Sequence, residues 1–354
     1  MLRCILQKVT KRQDLSERDC AYIVEHIMKG RTEDVQLSAL LAALTTKGVK
    51  ENELYALAVA MRQYSKPVHS QRELFDIVGT GGGSVRTFNI STTAAFIIAA
   101  GGVAVAKHGT RAKASRSGSA DVLEALGANI FLSPESCCDM VRQIGLCYFY
   151  TRYYYYTMKQ VDKLQRQLGI ETVWDRLRPI SNPASITRQV LGVSQAAWVE
   201  PMAHVLSRLG IRKGMVVHGR DGTDELSAAA NTLICEFSDG QYKTYEICPE
   251  QFSLQRCDVR ELQGGTPKEN AAITRRVLQG EKGPCRTAIL LNAGAGLYIG
   301  GASLTLAAGI KRARQLIDSG LALEKLEDFI VMSQNMGKIE KVKIATYQDD
   351  TDMV

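Results

Sequence analysis

The sequence predicts an α/β protein, with a small helical domain followed by a larger α/β domain that has a central mixed sheet flanked by helices. Between residues 16 and 64, apolar residues recur at helical spacing in short segments that break near Gly30 and Gly48, which is typical of a helical bundle. Beyond residue 71, short β-rich runs alternate with helical patterns, which favours a sheet covered by helices. A chain of 354 residues with 45% hydrophobic residues can bury a substantial core. We expect residues 1–68 to form the helical domain and residues 69–354 the α/β domain.

Several segments of the second region have a strand or helix pattern of their own. Strands are predicted at residues 74–78, 103–106, 130–132, 190–193 and 215–217. Helices are predicted at residues 120–126 and 201–209, where apolar residues return at helical spacing.

Composition and charge exclude some classes of protein. No apolar run is long enough to cross a membrane, and the first residues are too weakly apolar for a signal peptide, so we expect a cytoplasmic protein without membrane contact. The nine cysteines are scattered and form no C-x-x-C pair, which favours free thiols over disulfides or zinc ligands. The net charge of +7 suits an anionic small molecule, although charge alone leaves nucleic acid open.

A glycine-rich loop follows the first predicted strand. Backbone N–H groups beside glycine can approach an anion closely, and a helix that begins after the loop adds the positive end of its dipole. An ordinary strand-to-helix turn is the structural alternative. The residues concerned are Gly79, Gly81, Gly82 and Gly83, followed by Thr87, Asn89, Ser91 and Thr92.

A second loop, rich in cations and hydroxyl groups, follows the next predicted strand. Alone it could be a solvated surface loop, but two such loops in tandem predict a ligand with two phosphate groups. Neither loop fits a common nucleotide motif, because Ser84 stands where G-x-G-x-x-G needs glycine and the G-K-[ST] ending of the P-loop is absent. The second loop contains Lys107, His108, Gly109, Arg111, Lys113, Ser115, Arg116, Ser117, Gly118 and Ser119.

The two loops, GTGGGSVRTFNIST and KHGTRAKASRSGSAD, resemble the phosphoribosyl diphosphate (PRPP) loops of the anthranilate phosphoribosyltransferase family, within the nucleoside phosphorylase-like phosphoribosyltransferases. The resemblance covers nearly the whole chain and includes VVHGRDGTDELSAAANT and LQGGTPKENAAITRRVLQG. It implies a PRPP-dependent enzyme of tryptophan biosynthesis that transfers phosphoribose to an aromatic amine, anthranilate or an analogue, and releases diphosphate. It also implies a homodimer, and a small domain completed in space by part of residues 150–185.

The resemblance implies residues for each substrate. Acceptor contacts fall on Gly79, Thr110 and Gln165. No covalent catalytic residue is implied, since positioning and charge neutralisation around the diphosphate carry the reaction, and His108 is expected to be structural. PRPP contacts fall on Gly79, Gly82, Gly83, Thr87, Asn89, Ser91, Thr92, Lys107, Ser115 and Ser119.

Asp224 and Glu225 are adjacent carboxylates at a predicted helix start. Acidic residues in a first helical turn stabilise the helix dipole without a metal, and the residues alone favour that interpretation. The resemblance reverses it, because in that family the acidic pair and the serine that matches Ser91 hold Mg²⁺ against PRPP. We therefore expect a Mg²⁺ site at Ser91, Asp224 and Glu225.

The chain departs from the family pattern mainly on the acceptor side. Thr110 replaces an asparagine, and Gln165 replaces the arginine that pairs with the anthranilate carboxylate. Glu171, Asp175 and Arg178 replace arginine, asparagine and glycine. A lost charge-assisted hydrogen bond costs about 1.5–3 kcal/mol, so we predict weak or absent anthranilate transfer.

Changes in the first loop leave further interpretations open. Gly83 replaces an aspartate and Ser84 a glycine, which predicts rearranged PRPP contacts. A nucleoside phosphorylase-like activity is disfavoured, because the whole second loop matches the PRPP-using branch. A protein without anthranilate activity, which uses another acceptor or binds nucleic acid, remains the alternative, although we do not expect a nucleic-acid partner.

Overall fold

The computed structural model describes residues 1–65, 68, 70–83, 85–112, 116–155 and 158–348, with the side chains of all of these except 152, 158 and 338–348. Within these ranges, a single mixed sheet forms the centre of the larger region. Its strands are β1 (Leu74–Gly79), β2 (Val105–Gly109), β3 (Leu146–Tyr150), β4 (Ile186–Gly192), β5 (Lys213–Gly219), β6 (Thr232–Ser238) and β7 (Gln241–Ile247). The order is β3-β2-β1-β4-β5-β6-β7, in which β1 to β5 run parallel and β6 pairs antiparallel with both β5 and β7. The predicted mixed sheet is confirmed.

The N-terminal region is a helical bundle, as predicted. Gly30 and Gly48 follow the second and third helices with φ of 63° and 81°, a backbone conformation that glycine adopts at low cost. Ser16 caps the second helix, since its Oγ accepts from Asp19 N at 3.2 Å while Asp19 Oδ2 accepts from Ser16 N at 3.0 Å. The helices are α1 (Leu2–Thr10), α2 (Glu17–Met28), α3 (Asp34–Lys47) and α4 (Glu51–Arg62), of which the first was not predicted.

Helices also flank the sheet in the larger region. These are α5 (Ile90–Ala100), α6 (Ser119–Leu126), α7 (Pro134–Ile144), α8 (Thr151–Tyr154), α9 (Met158–Leu168), α10 (Val173–Leu177), α11 (Val199–Arg208), α12 (Pro267–Leu278), α13 (Pro284–Ile299), α14 (Leu306–Asp318) and α15 (Leu321–Gln348). The apolar α5 packs against β1 and β2, α11 against β5 and β6, and α13 against α5 and β4. The core therefore lies between the sheet and these helices.

Two helices between β3 and β4 contact the N-terminal bundle. α9 packs against α3, and α10 packs against α3 and α4. Gln160 Nε2 of α9 donates at 2.8 Å both to the Thr32 carbonyl and to Asp34 Oδ1. This packing is the one expected of a small domain completed by part of residues 150–185, while the boundary at residue 68 stays a prediction.

The order of the strands determines where a ligand can bind. β2 and β3 extend the sheet from one edge of β1, and β4 and β5 extend it from the other edge. β1 and β4 are therefore neighbours at the point where the strand order reverses. Their last residues, Gly79 and Gly192, are partners in the register. In open α/β sheets, ligands bind outside the carboxyl ends of the strands at such a point.

One predicted strand is wrong. Residues 130–132 connect α6 to α7 outside any strand, with Ile130 and Leu132 buried and Phe131 exposed between them. The alternation that resembled a strand is that of a half-buried connection, and the edge position beside β2 is taken by β3.

No helix within the described ranges is both long enough and apolar enough to span a bilayer. All nine cysteines carry free thiols.

Candidate active site

The glycine-rich loop after β1 lies against a second loop that follows β5. A Cβ atom at Gly79 would collide with Asp224 Oδ2, and one at Gly192 would collide with the Asp224 carbonyl oxygen. Gly81 N donates to Asp224 Oδ2 at 2.7 Å. Because glycine lacks a Cβ atom, Asp224 can therefore lie directly over the carboxyl ends of β1 and β4.

Asp224 and Glu225 are not at a helix start, so that prediction is wrong. Residues 220–231, all described, form turns and bends between β5 and β6. The loop is held from below by Asn292 of α13, whose Oδ1 accepts from Leu226 N at 3.0 Å and whose Nδ2 donates to Leu226 O at 2.9 Å. Without a helix, the dipole interpretation of the acidic pair has no physical basis.

The acidic pair is partly buried, and the two carboxylates repel each other. Burial raises the pKa of Asp224, and burial together with the Asp224 charge raises the pKa of Glu225 to about 8. Glu225 Oε1 accepts from Ser91 N at 3.3 Å. No basic side chain in the described part of the chain forms an ion pair with either carboxylate. The pair thus places two carboxyl groups side by side at the carboxyl end of the sheet, where burial and mutual repulsion favour the protonated form of Glu225.

Lys107 supplies positive charge beneath the same loop. It lies in β2 with 3% of its surface exposed, and its Nζ donates to the Ile77 carbonyl at 2.6 Å and to Ser91 Oγ at 3.3 Å. Burial lowers the pKa of Lys107, while the charges of Asp76 and Glu225 act in the opposite direction. Ser91 therefore joins Lys107 to Glu225 at the N-terminus of α5.

Asn89 links the two predicted phosphate loops. Its Oδ1 accepts from Ser117 Oγ at 3.1 Å and from Asn270 Nδ2 at 2.8 Å, and its Nδ2 donates to the Ser117 carbonyl at 3.3 Å. Thr87 contributes a backbone bridge to Gln263 at the start of this segment. These contacts hold the second loop against the N-terminus of α5.

Other residues predicted to contact PRPP are placed differently. Thr92 is 2% exposed and therefore lies inside α5 rather than on the loop surface. Gly82 has φ of 79°, and a Cβ at Gly83 would lie 2.6 Å from the Gly222 carbonyl oxygen. The loop therefore packs closely against residues 222–223 at the position where the family pattern has an aspartate. Ser115 and Lys113 lie outside the described residues.

The second loop directs part of its polar surface inward. Arg111, one of the cations of this loop, pairs with Asp121 at 3.0 Å and with Glu124, both in α6. Asp121 Oδ2 accepts from Ala112 N at 2.8 Å and Gly118 N at 2.9 Å. Ser119 Oγ lies 2.9 Å from Tyr148 OH, and it also contacts the Thr110 carbonyl. Asp121 thus accepts hydrogen bonds from two backbone amides of this loop.

His108, which was expected in a loop, lies buried within β2. Its Nδ1 lies 2.6 Å from Asp76 Oδ2 and its Nε2 lies 2.9 Å from the Arg178 carbonyl. Asn182 Nδ2 also donates to Asp76 Oδ2 at 3.0 Å. This buried network joins β1 and β2 to the segment after α10.

The two altered residues at positions 165 and 178 face each other. Gln165 is 6% exposed, its Nε2 donates to Thr172 Oγ1 at 2.5 Å and to Asp175 Oδ2 at 2.8 Å, and its Oε1 accepts from Arg178 Nη2. Arg178 also pairs with Asp162 at 3.3 Å and Asp175 at 3.6 Å, and burial lowers its pKa to about 9. The Gln165 amide and the Nη atoms of Arg178 are therefore engaged with other protein groups.

A small cleft adjoins the first glycine loop, and we call it the side cleft. Glu171 Oε2 accepts from Gln195 Nε2 at 3.3 Å, and a Cβ at Gly82 would collide with Glu171 Oε1. Burial raises the pKa of Glu171. The Arg176 guanidinium lies 4.4 Å from the centre of the Trp198 ring. The side cleft is lined by Thr80, Gly81, Glu171, Thr172, Asp175, Arg176, Val193, Ser194, Gln195 and Trp198, of which the sequence analysis had singled out Gly81, Glu171 and Asp175.

Comparison with known proteins identifies the family. The chain belongs to the glycosyl transferase family, since residues 3–65 match its helical bundle domain and residues 71–323 its a/b domain. The anthranilate phosphoribosyltransferase of Methanobrevibacter smithii is 42% identical over 330 residues, which cover 93% of this chain and 98% of that protein. That of Ruminiclostridium cellulolyticum is 42% identical over 338 residues, covering 96% and 99%.

Solved structures give the same result. The anthranilate phosphoribosyltransferase of Thermus thermophilus has a TM-score of 0.87 at 40% identity and covers 93% of this chain and 99% of its own. That of Saccharomyces cerevisiae, in complex with PRPP and Mg, has a TM-score of 0.83 at 27% identity and covers 94% and 98%. The resemblance inferred from the loop motifs is confirmed.

Proposed function

We propose that the chain is a PRPP-dependent phosphoribosyltransferase that transfers phosphoribose to an aromatic amine, anthranilate or an analogue, and releases diphosphate. The observation that carries the proposal is the meeting of Lys107, Ser91 and the Asp224–Glu225 pair beside a glycine loop at the carboxyl ends of β1 and β4. The relatives that share the fold are named for this reaction. We also expect a homodimer.

The acidic pair suits Mg²⁺. Two adjacent carboxylates repel each other when both are ionised, as their raised pKa values reflect, and a bound cation would offset that repulsion. Oxygen is the ligand that Mg²⁺ prefers. Among the described residues there is no group of three or more His, Cys, Asp or Glu side chains that could hold a metal by itself. Oxygens of a diphosphate would complete the coordination, so we propose that Asp224, Glu225 and the Ser91 hydroxyl hold Mg²⁺ together with PRPP. Bound there, Mg²⁺ would shield the charge of the leaving diphosphate.

The residues then act by positioning and by charge. A bond forms between the amine nitrogen and C1 of the ribose while the bond from C1 to the diphosphate oxygen breaks, and the diphosphate leaves with the electron pair. The amine nitrogen releases one proton. Lys107, fixed by the Ile77 carbonyl and Ser91, stabilises the charge that develops on the leaving group.

Calorimetry with PRPP in the presence and absence of Mg²⁺ tests the first half of the proposal. We expect binding that depends on Mg²⁺, followed by diphosphate release when an aromatic amine is added. If PRPP does not bind, or if no amine releases diphosphate, the proposed function is wrong.

The Gln165–Arg178 contact changes how anthranilate use can be restored. Adding Gln165→Arg and Thr110→Asn to the native chain would place two guanidinium groups side by side, whereas Gln165→Arg with Arg178→Gly moves one guanidinium between positions that already touch. We expect each single change to destabilise the fold, Arg178→Gly by about 3–5 kcal/mol because Asp162 and Asp175 lose their cation. We expect the swapped pair to be more stable than the sum of the single changes and, with Thr110→Asn, to raise anthranilate turnover.

Urea unfolding of the four proteins of this cycle measures the coupling, and diphosphate release measures turnover. Strictly additive stabilities would contradict the contact between the two side chains. Unchanged turnover in a folded triple variant would show that positions 110, 165 and 178 do not control the use of anthranilate.

A further inference from the structure

We propose that Asn270 is a positioning residue for PRPP, which fixes the side-chain amide of Asn89 so that an N–H group of Asn89 is offered to a phosphate of PRPP. Asn270 was not among the site residues that the sequence predicted. This inference rests on the proposed function, because it concerns how the predicted PRPP contact at Asn89 is built.

Asn270 is held in place by the start of α12. It is 2% exposed and is the fourth residue of that helix, and its backbone N–H donates to the Thr266 carbonyl at 3.0 Å. Thr266 caps the helix, since its Oγ1 accepts from Glu269 N at 3.4 Å while Glu269 Oε2 accepts from Thr266 N at 2.6 Å. The Asn270 side chain therefore extends from a fixed backbone.

The segment before α12 also runs against the segment that leads into α5. Phe88 N donates to the Leu262 carbonyl at 3.0 Å, and Gly264 N donates to the Arg86 carbonyl at 3.1 Å. A Cβ atom at Gly264 would lie 2.6 Å from the Thr87 carbonyl oxygen, so glycine permits this close approach. The two segments are thus tied together immediately before the N-terminus of α5.

The orientation of both side-chain amides follows from one backbone donor. Gly265 N lies 2.8 Å from the Asn270 side chain, and because a backbone N–H can only donate, the Asn270 atom that faces it is the oxygen Oδ1. Asn270 Nδ2 therefore faces Asn89 and donates to Asn89 Oδ1 at 2.8 Å. With its oxygen turned to Asn270, Asn89 directs Nδ2 to the Ser117 carbonyl, to which it donates at 3.3 Å.

This arrangement leaves Asn89 with a donor for an anion. An amide nitrogen carries two hydrogens, and among the described residues only the Ser117 carbonyl accepts from Asn89 Nδ2. The oxygen of the same amide already accepts from Asn270 Nδ2 and, at 3.1 Å, from Ser117 Oγ. Asn89 is half-buried at the N-cap of α5, where the positive end of the helix dipole also favours a phosphate. With the amide reversed, its oxygen would face that phosphate and repel it.

A double-mutant cycle on PRPP affinity tests the inference. Calorimetry at saturating Mg²⁺ measures the Kd of PRPP for the native protein, Asn89→Ala, Asn270→Ala and the double variant. We expect Asn270→Ala to weaken binding by about three- to tenfold, the range of one neutral hydrogen bond, and we expect this loss to disappear in the Asn89→Ala background. A residue that only stabilises the fold would weaken binding by the same factor in both backgrounds.

Two further variants serve as controls, and urea unfolding measures the stability of each protein. Thr274→Val, one turn further along α12, removes a 2.8 Å hydroxyl contact with Thr93 of α5, so it should lower stability and keep the native Kd. Asn270→Asp keeps the oxygen that accepts from Gly265 N and replaces the donor to Asn89 by a carboxylate oxygen. It should therefore weaken PRPP binding even if Asn270→Ala does not fold, and this loss should be smaller in the Asn89→Ala background.

The outcomes separate this inference from the proposed function. Suppose that the native protein binds PRPP with Mg²⁺. If Asn270→Ala loses the same factor in both backgrounds, or if Asn270→Asp or Asn89→Ala keeps the native Kd, the inference is wrong and the proposed function stands. The inference is also wrong if Thr274→Val weakens PRPP binding as much as Asn270→Ala does, since the packing of α12 would then explain both. If the native protein binds no PRPP, both are wrong.

Discussion

Replacing Lys107 by alanine should weaken PRPP binding by about 10- to 100-fold or more, because a diphosphate would lose a charge-assisted hydrogen bond. The ammonium lies at the base of the site, held by the Ile77 carbonyl and the Ser91 hydroxyl. Its removal also leaves the negative charge of Glu225 without the nearby cation that now attracts it. Calorimetric titration with PRPP and Mg²⁺ measures the effect.

Two further variants separate charge from packing. Lys107→Met removes the ammonium and keeps the length of the side chain, so it should lose PRPP as the alanine variant does. Lys213→Met is the matched control, since Lys213 is also a strand lysine that donates to a carbonyl, that of Tyr298 at 3.4 Å, and burial likewise lowers its pKa. Lys213 begins β5 at the opposite end of the sheet, so this variant should bind PRPP normally. Normal PRPP affinity in Lys107→Met would show that the site lies elsewhere.

The sequence predicted the helix ends that are marked by glycine and the buried strands that are marked by apolar runs. The glycines at 30 and 48 predicted where two helices end, and positive φ angles there give the reason. The predicted strands at residues 74–78 and 215–217 became β1 and β5, because both are apolar runs buried in a parallel sheet. The β6–β7 hairpin was missed although Asp239 and Gly240, with φ of 47° and 82°, form a turn of the kind that joins such strands.

The contacts between residues of the candidate site could not be predicted from neighbouring residues in the sequence. Gly81 and Asp224 are 143 residues apart, and Ser91 and Glu225 are 134 apart, so their meeting depends on the order of the strands. Sequence could propose Asp224 and Glu225 only through the family resemblance, and it placed them on a helix that does not exist. The sequence showed that Gln165 replaces an arginine. It did not show that Arg178, thirteen residues further along the chain, donates a hydrogen bond to Gln165.

The largest effect on metal dependence is expected from Asp224→Asn combined with Glu225→Gln. Asn and Gln keep the acceptor oxygens that now meet Gly81 N and Ser91 N, so the loop should stay in place while its negative charge is lost. Mg²⁺ needs anionic oxygens, so PRPP binding should no longer depend on Mg²⁺ and should become weak. Glu25→Gln with Asp139→Asn, which removes two exposed carboxylates from α2 and α7, is the control and should keep the Mg²⁺ dependence.

Stability against pH gives an independent measurement on the same variant. The pKa of Glu225 rises from an ordinary value of 4.5 to about 8 in the folded protein, because of burial and the neighbouring charge of Asp224. The folded state therefore binds more protons than the unfolded state between these values, and in the absence of Mg²⁺ this group makes the native protein less stable as pH rises through that window. The double variant has no such carboxylate, so its free energy of unfolding in urea should vary less between pH 5 and pH 8.

Saturating Mg²⁺ with PRPP should stabilise the native protein at pH 8 by binding the ionised pair, and it should not stabilise the double variant. An unchanged Mg²⁺ dependence of PRPP binding in a folded double variant would remove Asp224 and Glu225 from the metal site.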